Sequence, residues 1–427
     1  MASDSGGPEL PERAVAGPHG AVTAEYQGIG GLLSQRTWQR WTLSSFLARL
    51  PITMALFGLV LAGHAETGSL ATGARLAGVT MFCAGLAGPL RGRLLDRGEL
   101  RRGLQRNCFL TSGLFAVVAV CVALRVQIIV LYGLCVCLGY AFSGIYGGFR
   151  ALLIVAVKPD RLRRAHFVES LMVEASWGIG PLIATILAEL GGAVAVLAGI
   201  AAISLLASIS LIGVVQSDPR PRSGTNILRQ RLDIRVLVGL AFCQGLGFGT
   251  FESNVPQRMP GYGLSPNLGG LFLLLLSIGS VIGGTYVSLR PIRRSRTAQK
   301  GSVLFAVFAV LMLPSILAPS PVAYGGCLLF ASLMLVPLNG LGMSEIEARV
   351  GADQRAQAFS SYQAATMIGS GIGTVLNGVL IGPIGAPHIP YLSVALFLML
   401  AAGLGIAARQ RRRRAGPVTP AAEVPLF

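Results

Sequence analysis

The 427-residue chain is poor in charge, with only 12% of its residues Asp, Glu, Lys or Arg. A soluble protein carries about twice that fraction, so a water-facing surface along the whole chain is excluded. Lysine is nearly absent: Lys158 and Lys300 are the only two among 35 cationic residues. No His, Cys and acid cluster has metal-ligand spacing, and no metal or other cofactor is expected. The seven cysteines (Cys83, Cys108, Cys121, Cys135, Cys137, Cys243 and Cys327) lie within or beside apolar runs. They form neither a paired CxxC site nor a loop framework for disulfides. Cys135-x-Cys137 therefore reads as core- or lipid-facing. A nucleotide-binding loop G-x-x-x-x-G-K-[ST] is missing, so the chain shows no ATP motor. No residue set reads as catalytic, and an enzyme is not expected. The polar stretch 1–35 lacks the short apolar core of a cleaved signal peptide; a disordered cytoplasmic tail is expected there.

Apolar residues make up 53% of the chain, Gly numbers 56, and the mean hydropathy is +0.66. About 20 apolar residues cross a membrane as a helix. Twelve such runs occur, near 43–63, 69–90, 108–124, 127–150, 166–187, 192–214, 235–254, 266–289, 301–318, 322–343, 357–382 and 389–408. A net charge of +17 would suit nucleic acid were it spread over a soluble surface. Here it is gathered in loops between apolar runs, as the positive-inside rule requires, and no nucleic-acid partner is expected. With both termini cytoplasmic, thirty of the cationic residues fall on the cytoplasmic side and only Arg125 and Arg258 outside. One helix more or fewer would scramble that alternation. The chain reads as a multi-pass protein of the cell membrane, monomeric, in contact with membrane lipid.

The longest internal polar stretch, rich in Pro and Gly, follows the sixth run. It divides the chain into a six-helix bundle at 36–215, a cytoplasmic linker at 216–234, a second bundle at 235–408 and a basic tail at 409–427. A shift of 191 residues lays Arg164-Ala165 on Arg355-Ala356, Ser170 on Ser361, Gly178 on Gly369 and Gly180 on Gly371. The expected fold is all-α and polytopic: twelve transmembrane helices as two pseudo-symmetric six-helix bundles.

Between the second and third runs stands Gly92-Arg-Leu-Leu-Asp96-Arg97-Gly98-Glu99-Leu-Arg101-Arg102. Together with the six-plus-six layout, this loop resembles the signature G-x-x-x-D-R-x-G-R-R of the major facilitator superfamily. Gly92, Asp96 and Arg97 fit; Arg101 and Arg102 fit loosely, because Gly98 follows Arg97 directly. The second-half counterpart, ending at Ser288-Leu289, lacks the acid. The resemblance implies a latch that reaches the other half and holds the cytoplasmic side closed. In the fifth run, Ser176-Trp-Gly178-Ile-Gly180-Pro181-Leu-Ile-Ala184-Thr185 resembles the G-x-x-x-G-P-x-x-G-G motif of bacterial drug:proton antiporters in that superfamily. Gly180 and Pro181 match, whereas the antiporters' helix-four arginine is replaced by Cys135.

Ionisable residues inside spans are costly and mark function by default. Glu174 is the leading candidate, a carboxyl two turns inside helix five that can carry a proton. Arg49 in helix one and Arg150 at the end of helix four lie close enough to the cytoplasm to snorkel. Arg75 and Glu252 are further candidates for the substrate cavity, with Gln244, Asn339, Gln363 and Asn377 as polar companions. Glu169, five residues from Glu174, reads as interfacial and off its face. The expected activity is secondary transport of a small amphipathic substrate by alternating access, with proton-coupled efflux foremost. Proton-coupled uptake of a polar nutrient and a non-transporting scaffold or sensor are the alternatives.

Overall fold

A computed structural model describes residues 35–97, 99–157, 162–214, 232–288, 297–350 and 355–414. The predicted N-terminal tail, most of the linker and residues beyond 414 lie outside the described residues. Helices account for nearly all of the rest, and no strand occurs among the described residues. Twelve passes result: α1 Arg36–Thr67, α2 Leu70–Arg97, α3 Leu100–Ala123, α4 Ile128–Phe142 with Ile145–Ala156, then α5 and α6 within Leu162–Ser210. After the linker come α7 Leu232–Arg258, α8 Gly269–Ser288, α9 Thr297–Ile316, α10 Pro321–Ser332 with Leu335–Arg349, α11 Arg355–Ile384 and α12 Ile389–Arg414. Large apolar side chains such as Phe109, Leu190 and Val322 stand exposed on the outside, where hydrocarbon rather than water would meet them.

Glycine sets two of the breaks. Between α5 and α6, Gly191 leaves the helical region and Gly192 takes φ 63°, a left-handed value that a side chain resists. In α4, Gly144 at φ 85° separates the two segments. Its pseudo-equivalent α10 breaks at Leu333–Met334, so both halves carry one interrupted helix at the same place.

Several boundaries differ from expectation. α1 begins at Arg36, taking in Trp38 and Trp41, which were expected before the first span. Both rings are fully buried and stack at 5.2 Å, and Trp41 Nε1 donates to the Phe149 carbonyl at 3.1 Å. At the other terminus α12 runs on through Arg409–Arg414. Arginine is a good helix former, and cations suit a helix C-terminus. The end of the bundle holding Arg36, the α2–α3 loop and Arg414 is called the basic end below.

The two halves meet along α2–α11 and α5–α8. A Cβ on Gly78 would lie 2.6 Å from the Gly371 carbonyl oxygen, and one on Gly178 would lie 2.6 Å from Ser277 Cβ. Small residues are required where membrane helices approach this closely. Thr185 Oγ1 adds a hydrogen bond across to the Asn267 carbonyl at 2.8 Å. These contacts also correct the repeat's register. Gly178 faces the opposite half and Gly180 faces Thr53 of its own; in α11 the corresponding glycines are Gly371, against Phe82, and Gly373, against Leu246. The structural register runs two residues beyond the ungapped sequence match.

Candidate functional site

Arg49 lies roughly 20 Å along α1 from its first residue at 1.5 Å per residue. It does not snorkel, because the span starts earlier than its apolar run and the side chain is fully enclosed. Its Nη2 donates to Glu169 Oε1 at 2.8 Å, and its guanidinium lies over the Tyr146 ring, 5.5 Å from the centroid. Tyr146 follows the Gly144 break, so the interruption of α4 aims both Tyr146 and Arg150 at this point. Arg150 Nε donates to Glu169 Oε2 at 3.2 Å. Glu169 is 1% exposed and Arg150 is 40% exposed. Glu169 is therefore not interfacial: it is the buried counter-ion of two arginines from α1 and α4. Arg49 Nε and Nη1 have no hydrogen-bond partner among the described residues.

Glu174 takes a different partner. Ser280 on α8 donates to its Oε2 at 2.8 Å, a bond between the two halves. Glu252 on α7, in the other half, is half-buried. It was expected near the outer end of its span. α7 continues to Arg258, which places Glu252 about 9 Å inside the helix end. Neither Glu174 nor Glu252 has a cationic partner among the described residues.

A second polar triad occupies the corresponding place in the other half. Gln244 on α7 donates to Asn339 Oδ1 on α10 at 2.5 Å, and Tyr362 on α11 donates to Gln244 Oε1 at 3.3 Å. By fold position α7, α10 and α11 are the counterparts of α1, α4 and α5. The structural register sets Tyr362 opposite Glu169. One half thus holds an Arg–Glu–Arg triad, and the other an amide–phenol triad without charge.

The remaining predicted residues lie elsewhere. Arg75 donates to Thr72 Oγ1 at 3.0 Å. It lines a cleft of about 560 Å³ with His64, Ser69, Gly378 and Gly382, at the end opposite the basic one. Gly180 and Pro181 sit on the α1 and α8 sides of α5. In the α2–α3 loop, Arg101 Nη1 donates to the Ile212 and Val214 carbonyls at 2.8 and 3.4 Å, and Arg102 pairs with Glu99. Both contacts stay within the first half. Gly98 and the side chains of Asp96 and Arg97 lie outside the described residues, as does Gly92's packing. No three His, Cys, Asp or Glu side chains are grouped to hold a metal ion among the described residues.

Sequence reasoning missed Glu169, Ser280 and Tyr146. The signal for Glu169 was available: two arginines inside spans require an acid at matching depth, and the α5 start at 162 moves Glu169 inward.

No curated protein matches the sequence. Solved structures of similar shape include the nucleoside transporter NupG, 14% identical, with a TM-score of 0.63 over 87% of this chain and 99% of that one. The human organic anion transporter MFSD10 (TETRAN) is 14% identical, with a TM-score of 0.62 over 86% of this chain and 99% of that one. A bacterial homolog of the human lysosomal transporter Spinster, inward-facing and unoccupied, is 16% identical, with a TM-score of 0.65 over 90% and 98%. At such identities the likeness is one of fold. The sequence model of the Major Facilitator Superfamily matches residues 41–352, and with twelve helices in that arrangement the chain belongs to the Major Facilitator Superfamily.

Proposed function

We propose that the protein exports a small amphipathic molecule across the cell membrane in exchange for protons, acting as a transporter and not as an enzyme. The observation that carries this reading is the pair Glu174 and Glu252. One acid lies inside a span of each half, and Glu174 is held to the second half by Ser280. In this reading the two carboxyls face one central site, and they cannot both be charged there without cost. A proton on either removes that repulsion, and a substrate with a cationic or hydrogen-donating group relieves it equally. Proton and substrate then exclude each other, which is what exchange requires. Because the pair spans the halves, its occupancy biases how the bundles 36–215 and 235–408 rock about the central site. Glu169 is neutralised by Arg49 and Arg150 and is left out of that exchange.

Export as the direction rests on the Gly180-Pro181 motif of α5. In this reading both termini and the linker 216–234 face the cytoplasm, the protein works as a monomer, and Gly92, Asp96 and Arg97 form the latch on that side. One observation favours a second reading, uptake of an acidic nutrient with protons: Arg150 is 40% exposed beside its acid and can meet an anionic substrate.

The test is a dye, drug and nutrient panel in vesicles of known orientation with an imposed pH gradient. Exchange predicts substrate movement against the proton flow, and Glu174→Gln abolishes the response to the gradient. Unaltered gradient-driven transport by Glu174→Gln would overturn the coupling assignment, and movement with the protons would establish uptake.

A further inference from the structure

At the basic end, a groove between α3 and α6 encloses about 350 Å³ lined by Arg102, Gln105, Arg106, Phe109 and Ser208. Its floor is fixed. Ser208 Oγ donates to the Gln105 carbonyl at 3.1 Å, and one turn and more below, Ser112 Oγ donates to the Ala201 carbonyl at 2.8 Å. The carbonyls at the end of α6 are already satisfied by other arginines. Arg101 serves Ile212 and Val214, and Arg40 Nη1 donates to Gly213 at 3.3 Å. Arg102 and Arg106 are therefore not needed to cap that helix. Arg102 is 57% exposed and shares Glu99; Arg106 is exposed and has no partner among the described residues. The groove is thus lined by two guanidiniums, one of which pairs with Glu99.

Directly toward the membrane centre the wall turns apolar and outward-facing. Phe109 and Leu110 of α3 and Leu205 of α6 are exposed there. Cations above an apolar channel, at the depth where the chain leaves the hydrocarbon, match a molecule with a phosphate at one end and acyl chains at the other. Arginine is the side chain suited to phosphate oxygens, through paired N–H donors.

We propose that this groove is a binding site for one anionic phospholipid. Its phosphate lies on Arg102 and Arg106, and one acyl chain runs along Phe109 and Leu205. The site lies on the lipid-facing side of the first half, away from Glu174 and Glu252, and does not depend on the transport reading.

The experiment uses the full-length protein in detergent. Lipid retention is measured by native mass spectrometry, and thermal stability with added phosphatidylglycerol, phosphatidylcholine or inorganic phosphate. The parent retains phosphatidylglycerol and gains stability from it, but not from phosphatidylcholine or free phosphate. Arg102→Gln/Arg106→Gln loses both effects. Arg102→Lys/Arg106→Lys retains them, as does Arg409→Gln, which removes an exposed cation at the same end outside the groove. Equal retention by the double glutamine variant, equal retention of phosphatidylcholine, or stabilisation by phosphate alone would each overturn the proposal.

Discussion

The Arg49–Glu169 pair allows a prediction whose sign depends on burial. Arg49 is 0% and Glu169 1% exposed, with 2.8 Å between Nη2 and Oε1. Removing one member of such a pair strands the other charge and costs about 3–5 kcal/mol. Arg150 softens the loss only for Glu169's side: at 40% exposure its own contact is worth about 1 kcal/mol or less. Glu169→Leu and Arg49→Met should each destabilise by amounts in the ~3–5 kcal/mol range. The double variant Arg49→Met/Glu169→Leu should instead lie close to the parent, because apolar replacement of a buried pair is often neutral or better. Thermal unfolding of the four proteins in one detergent closes the cycle. Single changes with no effect, or a double change as damaging as the two singles added together, would refute the argument. Either result would mean that water or another group already solvates these charges. Transport by the double variant is informative separately. If stability returns without transport, the triad has a part in the conformational cycle beyond holding α1, α4 and α5 together.

Two further predictions concern how the halves are held together, one from an observed contact and one from the proposed latch. Gly178→Val should separate α5 from α8, since even a Cβ there meets Ser277 Cβ at 2.6 Å. The expected cost is about 1–3 kcal/mol, typical of overpacking, with transport reduced more than stability; unchanged transport rates would show that this interface stays open through the cycle. In the α2–α3 loop, Asp96→Asn should impair transport more than Ser288→Ala at the pseudo-equivalent position. Equal effects in a vesicle assay would reduce Asp96 to a neighbour of topology-setting arginines.

The span count and alternating charge were legible because the bilayer imposes a length and a charge asymmetry that any sequence must display. Depth was less legible. Apolar runs underestimate a helix whose first turns are polar, and Arg36–Thr42 is such a start. Arg49 thereby moved from a snorkelling position to the core. The same effect at the start of α5 turned Glu169 from an interfacial residue into the buried acid between two arginines. Partners across the fold were not legible at all. Nothing near Ser280 in sequence marks it as the hydrogen-bond donor to Glu174, because that contact depends on the rotation of α5 and α8 and on the small residues that let them approach.

The two triads show how a duplicated fold divides its labour. Arg49, Arg150 and Glu169 occupy α1, α4 and α5; Gln244, Asn339 and Tyr362 occupy α7, α10 and α11. The helices are shared while charge is not. A buried ion pair gives strong internal attachment but tolerates little rearrangement, since separating its members in an apolar interior is costly. Amide and phenol groups can trade partners with water or substrate at about 1 kcal/mol each. The first half is thereby built to move as a fixed body. The second carries the more easily exchanged polar wall, with Asn339 exposed beside it. Glu174 stands in the rigid half but is tied to the other through Ser280. In the exchange proposed above, a proton at that carboxyl would act on the boundary between the bundles, where alternating access has its one degree of freedom.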